Sequence, residues 1–311
     1  RGGRADPRQR GPRMVPTTGV AAPERLLRRL EWTVVRRLDG RLQGDYRTIF
    51  RGTGVDFRDL REYEPGDDLR HIDWNVTART DVPFVREYTE DRELTAWLLL
   101  DRSASMAFGP TDRPKHTVLL ELATTLALVL ARGGNRVGAV LYGDGVDRTV
   151  PPRQGRDQVL RIARELLADA PTAGHPTDLG GLLRAALGMA RQRSLIVIVS
   201  DFVTTPGWER PLGLLARRHD VVAIQLVDPR EHDLPEAGLI ALTDPETGEH
   251  VLVDTGDAEF RSRLWELAQA RQRQLEAVAA HAGIALHPVS TDEDLVGALL
   301  RMARLRSKWR R

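Results

Sequence analysis

Four nearly uninterrupted apolar runs constrain this chain more than any other feature: "LTAWLLL" (Leu94 to Leu100), "RVGAVLY" (Arg136 to Tyr142), "SLIVIVS" (Ser194 to Ser200) and "VVAIQLV" (Val221 to Val227). Each is too short for a typical helix, and none alternates polar with apolar residues. Such runs fit strands covered on both faces, as in a parallel sheet. The stretches between them have helical spacing: "KHTVLLELATTLALVLARGG", "RDQVLRIARELLAD", "DLGGLLRAALGMARQR" and "ERPLGLLARR". Strands alternating with helices predict an α/β chain, a doubly wound and mostly parallel sheet with helices on both sides. "VDRTVPP" reads as a short edge strand ended by prolines. A polar hairpin, "LIALTDPETGEHVLVD", then precedes a long helix at 257–282, a strand "IALHPV" and a final helix at 294–306.

Ahead of this regular part the texture differs. Residues 1–22 are rich in Gly, Pro and Arg and read as a disordered basic tail. "PERLLRRLEWTVVRRL", from Pro23 to Leu38, places Leu26, Leu27, Leu30, Val34 and Leu38 at helical spacing. From Gly44 to Glu93, aromatics, paired charges and turn dipeptides predict a small β-rich module, with Tyr63 and Trp74 expected in its core. The organisation expected is a tail at 1–22, a helix plus β-rich module at 23–93, an α/β domain at 94–306 and a short basic tail at 307–311.

The 311 residues, 41% hydrophobic, suffice for one large domain and a smaller region. The absence of cysteine excludes disulfides, thiolate metal sites and a cysteine nucleophile. No apolar run approaches the roughly 18 residues needed to span a bilayer. The N-terminus lacks an apolar signal core, so a cytoplasmic location is expected. A net charge of +2 is too small for a strong phosphate-binding field, and only Lys115 and Lys308 among the 46 basic residues are lysine. That skew reads as the codon bias of a GC-rich genome.

In a doubly wound sheet, ligands collect at the carboxyl ends of strands, where the strand order reverses. Asp101 ends "TAWLLLD" and Asp201 ends "SLIVIVSD". With the order 3-2-1-4-5-6 the two strands are neighbours at that point, and right-handed crossovers bring the loop holding Thr177 to the same edge. Asp101, Ser103 and Ser105 alternate, so in an extended turn all three can face one point. Asp101, Ser103, Ser105, Thr177 and Asp201 then form an all-oxygen cluster of low charge, suited to Mg²⁺ or Mn²⁺. The simpler alternative is helix capping by Ser and Asp.

Asp-x-Ser-x-Ser, a later Thr and an Asp after an apolar strand resemble the metal-ion-dependent adhesion site of von Willebrand factor A domains. The order of elements from 94 to about 306 is similar to that Rossmann-like fold. "REYEPGDDLRHIDWNVTARTDVPFVREY" resembles the signature of a bacterial family of unknown function, number fifty-eight, whose members carry it just before an A-type domain. The resemblance implies Asp101, Ser103, Ser105, Thr177 and Asp201 as ion ligands, with an aspartate acting through water. It also implies a protein partner, a MoxR-type AAA+ ATPase or its client, whose carboxylate completes the site. Many such members have two N-terminal membrane spans, which this sequence does not show.

An enzyme is the rival class. Haloacid-dehalogenase-type phosphatases need an aspartate two positions after the first, where this chain has Ser103. No P-loop, G-x-S-x-G elbow or H-E-x-x-H is present. His71 and His175 are the candidate bases for a metal-dependent hydrolase of phosphoesterase type. The expected function is instead a Mg²⁺-dependent protein-interaction module.

Overall fold

In a computed structural model the described residues are 21–38, 60–64, 72, 74–80, 82–86, 94–109, 113–143, 145–168, 177–231, 236–243 and 250–309. Helix α1 (Ala21–Leu30) continues through one wider π turn at Glu31–Val35. A short ladder follows, β1 (Leu60–Glu62) antiparallel to β2 (Phe84–Arg86), with helix α2 (Trp74–Thr80) between them in sequence. The regular part then runs β3 (Thr95–Asp101), α3 (Lys115–Arg132), β4 (Arg136–Tyr142), β5 (Val146–Arg153), α4 (Arg156–Leu167), α5 (Leu179–Met189), β6 (Leu195–Ser200), α6 (Glu209–Arg218) and β7 (Asp220–Val227). It ends with the antiparallel hairpin β8 (Leu239–Thr243) and β9 (His250–Asp254), helix α7 (Ala258–His281), β10 (Ala285–Ser290) and α8 (Leu295–Trp309).

The sheet order is β10-β7-β6-β3-β4-β5, all parallel except the edge strand β5. This is the doubly wound order expected from the sequence, with β3 and β6 side by side at the switch point. The strand side chains explain why the apolar runs do not alternate. Ala96, Leu98 and Leu100 join one buried cluster, and Trp97 and Leu99 join the other, so both faces of β3 are core. The first cluster includes residues of α3, α4 and α8; the second includes residues of α5, α6 and α7.

Helix α3 is apolar almost all round because it is covered twice. The sheet takes one side and the N-terminal helix takes part of the other. Leu27, Leu30, Val34, Val35 and Leu38 are buried in the same cluster as Leu119, Leu122 and Leu126. Glu121 is the polar residue in the middle of α3, and Arg29 of α1 meets it at 2.7 Å. The segment at 21–38 is therefore a third layer on the α/β core.

The 44–93 region departs from expectation where it is described. Trp74, expected in a core, is 68% exposed on the helix α2. The physical reason is local: the segment from Trp74 to Thr80 is helical, so Trp74 does not take part in the β1–β2 ladder. Tyr63 is half-buried, and its N–H donates to the Pro83 carbonyl at 2.7 Å. Asp67, Asp68, Arg70, His71 and Asp73 lie outside the described residues. No helix among the described residues is long and apolar enough to cross a membrane.

Candidate functional site

The carboxyl ends of β3 and β6 carry the site. Their parallel pairing reaches Leu100 opposite Val199, so the next residues, Asp101 and Ser200, emerge at one edge. Ser200 Oγ donates to Asp101 Oδ2 at 2.6 Å, and Asp101 Oδ1 accepts from the Ser103 backbone N–H at 2.9 Å. The Ser103 and Ser105 hydroxyls lie 3.0 Å apart. Asp101, Ser103, Ser105, Thr177 and Asp201 are all buried.

Capping accounts for little of this cluster. Ser103 stands at the start of the short 3₁₀ turn Ala104–Ala107 but makes no side-chain cap there. Asp201 does not cap α6, whose N-cap residue is Trp208. Asp178, and not Thr177, caps α5 by accepting from the Gly181 N–H at 2.9 Å. Gly181 itself is required by packing, since a Cβ there would overlap the Tyr142 hydroxyl. Thr177 is tied to the loop after Asp201 through its carbonyl, which accepts from the Thr204 hydroxyl at 2.8 Å and the Thr205 N–H at 3.0 Å. The two motif loops are thus stitched to each other.

Phe202 is the one residue other than glycine with positive φ among the described residues, at 58°. This left-handed geometry is costly for a bulky side chain, of order 1–3 kcal/mol, and such strain concentrates at functional sites. Here its local use is visible. The turn directs the Phe202 N–H to Ser200 Oγ at 2.9 Å and the Val203 N–H to Asp201 Oδ1 at 3.0 Å. The Phe202 ring is held against Trp208, with centroids 5.9 Å apart.

The residue that sequence reasoning missed is Lys115. It opens α3, is 0% exposed, and its Nζ donates to Asp201 Oδ2 at 2.9 Å. The same ammonium donates to Glu231 Oε1, on the turn after β7. Burial pulls the Lys115 pKa down, but the charges of Asp201 and Glu231 outweigh it and the net shift is upward, so the amine is an ammonium. Asp101 is pushed up to about 6, first by burial and then by the charge of Asp201. Its hydrogen bonds from Ser200 and Ser103 pull the other way. The signal that pointed to Lys115 was its rarity: one of two lysines in a chain of 46 basic residues.

Whether these groups suit a divalent cation can be tested on three observations. Among the described residues no three His, Cys, Asp or Glu side chains cluster as a metal site, so an ion here depends on hydroxyls. Hydroxyl-rich donor sets suit hard cations. The Ser103 and Ser105 hydroxyls share a hydrogen bond of 3.0 Å, a separation that an octahedral edge of roughly 3 Å, with bonds of about 2.1 Å, would also accept. Finally, Asp101 and Asp201 lie close enough for the charge of Asp201 to raise the Asp101 carboxyl, a repulsion that a cation between them would relieve. The residues fit Mg²⁺ or Mn²⁺.

The protein-family model described as "Protein of unknown function DUF58" matches residues 59–275. The chain belongs to the DUF58 family. A relative of this DUF58 protein, the uncharacterized protein Rv1480 of Mycobacterium tuberculosis, is 36% identical over 284 residues, covering 91% of this chain and 89% of the relative. The uncharacterized protein YeaD of Bacillus subtilis is 32% identical over 99 residues, 32% of this chain and 22% of YeaD. Among solved structures, the conserved hypothetical protein BatB from Bacteroides thetaiotaomicron gives a TM-score of 0.42 at 14% identity, covering 70% of this chain and 98% of BatB. The SpRpn10 VWA domain gives 0.38 at 14% identity, covering 67% and 94%.

Proposed function

We propose that this DUF58 protein is a protein-interaction module whose contact with its partner depends on Mg²⁺ or Mn²⁺ at the site built from Asp101, Ser103, Ser105, Thr177 and Asp201. The observation that carries the reading is the buried Asp101–Ser103–Ser105 turn, with two hydroxyls at octahedral-edge spacing beside a second carboxylate. Asp101, the two serines and Thr177 would hold the ion, and Asp201 would support it. When bound, a hard cation there supplies an electrophilic point for an incoming carboxylate. The partner is therefore a protein presenting Asp or Glu, and the resemblance noted above makes a MoxR-type AAA+ ATPase or its client the partner to test first. Asp201 also lines a groove in which Phe202 and Val203 meet Leu264, Leu267 and Ala268 of α7 and the polar Arg271 and Gln272, with Leu267 largely exposed. A patch mixing apolar and polar side chains, with Leu267 exposed, suits a protein contact.

A second reading, a metal-dependent hydrolase, finds support in Asp101, because a carboxyl raised to about 6 suits a general base. Against it, both Asp101 oxygens accept hydrogen bonds, from Ser200 and Ser103, and the lone pairs left over are those the ion itself would use. The candidate bases His71 and His175 lie outside the described residues.

The deciding experiment is capture of the host's AAA+ ATPase on immobilised protein in Mg²⁺ and in EDTA. Capture in Mg²⁺ alone, lost in Asp101→Ala, is expected. Equal capture in both buffers overturns the reading, as does turnover of a phosphoester by the purified protein.

A further inference from the structure

Lys115 has no place in the reading above, yet its ammonium is fully shielded from solvent beside the site. Its surroundings are unusual. Two carboxylates, Asp201 and Glu231, come from the ends of adjacent strands and share one ammonium, while the Phe108 ring lies 5.8 Å from Nζ. Asp101 accepts only from a hydroxyl and a backbone N–H, whereas Asp201 spends one oxygen on a full positive charge. Oδ2 is taken by Lys115 and Oδ1 by the Val203 N–H. Each carboxylate oxygen has a second lone pair, enough to accept from a water.

Building on the metal-dependent reading, we propose that Lys115 is a resident counter-ion of the site. It holds Asp201 outside direct contact with the cation, so that Asp201 reaches the ion through water and the ion stays short of negative ligands. A structural role explains this residue poorly. Replacing a buried ion pair by packed apolar groups is often neutral or stabilising, so a buried ammonium is not kept for stability alone. The compact point charge also matters: an ammonium can sit between two single oxygens, whereas a planar guanidinium presents five donors in a fixed fork. Where nearly every other cation of the chain is arginine, position 115 holds lysine.

The proposal gives opposite signs for two quantities. Without the ammonium, Asp201 is free to enter the inner coordination shell. Lys115→Met should then bind Mn²⁺ at least about tenfold tighter, read from free Mn²⁺ by electron paramagnetic resonance. It should also lower water-proton relaxivity per bound Mn²⁺, because the carboxylate displaces a water. Unchanged affinity and relaxivity in a folded variant overturn the proposal, and so does weaker binding. If Lys115→Met does not fold, the wild-type chain answers by itself. Its two lysines give two side-chain signals on ¹⁵N-lysine labelling, one buried and one at Lys308. Saturating Mg²⁺ should shift the buried ammonium signal yet leave it protected. Its loss, or its collapse to an exposed position, means that the cation expels Lys115 and refutes the idea. Wild-type protein that binds no Mn²⁺ at millimolar concentration removes the metal site itself. Metal bound with no effect on Lys115 removes only the counter-ion role.

Discussion

Asp101→Asn separates the charge of the site from its shape. In the metal-free protein Asp101 is wholly buried and its carboxyl is raised from 3.8 to about 6, so folding makes ionisation harder. The native state then binds more protons than the unfolded state between those two values. The stability from this group is fully present below about pH 3.8 and is lost as pH rises through about 6. The full loss is about 3 kcal/mol at about 1.4 kcal/mol per pH unit, and roughly half of it falls between pH 5 and 7.5. Asparagine is nearly isosteric and carries no charge, although one of its two groups meets Ser200 or Ser103 less well. The stability of Asp101→Asn minus that of wild type, measured in EDTA by urea unfolding, should therefore grow from pH 5 to pH 7.5, by roughly 1–2 kcal/mol. For a chain of this size that is a shift of a few degrees in Tm. Mg²⁺ at pH 7.5 should stabilise wild type and leave the variant unmoved, since the ion relieves the same repulsion that the amide removes. A pH-independent difference would show that Asp101 is not a strained carboxylate. Equal Mg²⁺ stabilisation of both proteins would show that the ion binds elsewhere.

Three further outcomes follow from the packing and the loops. Leu27→Ala, under the N-terminal helix, should cost about 2–5 kcal/mol in denaturant unfolding, and a chain beginning at Leu94 should melt earlier or lose solubility, because α3 loses its outer cover. Unchanged melting would make the helix a passive appendage. Gly181→Ala should lower Tm and also weaken Mn²⁺ binding, because α5 must shift away from Tyr142 and take Thr177 with it; a loss of stability with unchanged binding would separate the two. Thr177→Ala should weaken partner binding at least tenfold, about 1.4 kcal/mol, in Mg²⁺, while His71→Ala and His175→Ala leave it intact.

Most of the fold is legible in the sequence, and the reason is thermodynamic. A strand buried on both faces must be apolar at every position, so the runs ending at Leu100, Ser200 and Val227 show themselves without an alignment. Asp101 and Asp201 are legible because a charge directly after such a run must sit at a strand end. Ser200 and Glu231 are not. A serine closing a strand looks like the strand's own end, and Glu231 looks like any acid in a polar loop. The strained Phe202 leaves no trace in composition, since nothing about phenylalanine announces positive φ. Trp74 misled because aromatic residues usually mark a core, while this one stands on an exposed helix.

Lys115 is the instructive failure. Its rarity was visible, and codon usage explained the abundance of arginine around it, but codon usage does not explain an exception. A mutational bias toward arginine acts at every basic codon. Positions that keep lysine are either indifferent or unable to accept the change. Lys308, in the last turn of α8, can be the first kind. Lys115 is at 0% exposure between Asp201 and Glu231, and there the second applies: a guanidinium would bring more donors than the two carboxylate oxygens facing it can satisfy. The physics that makes the residue hard to replace also makes it informative. A charge is buried at this depth only when neighbouring charges require it, and the neighbours here are Asp201, named from the sequence as an ion ligand, and Glu231, on the turn after the adjacent strand.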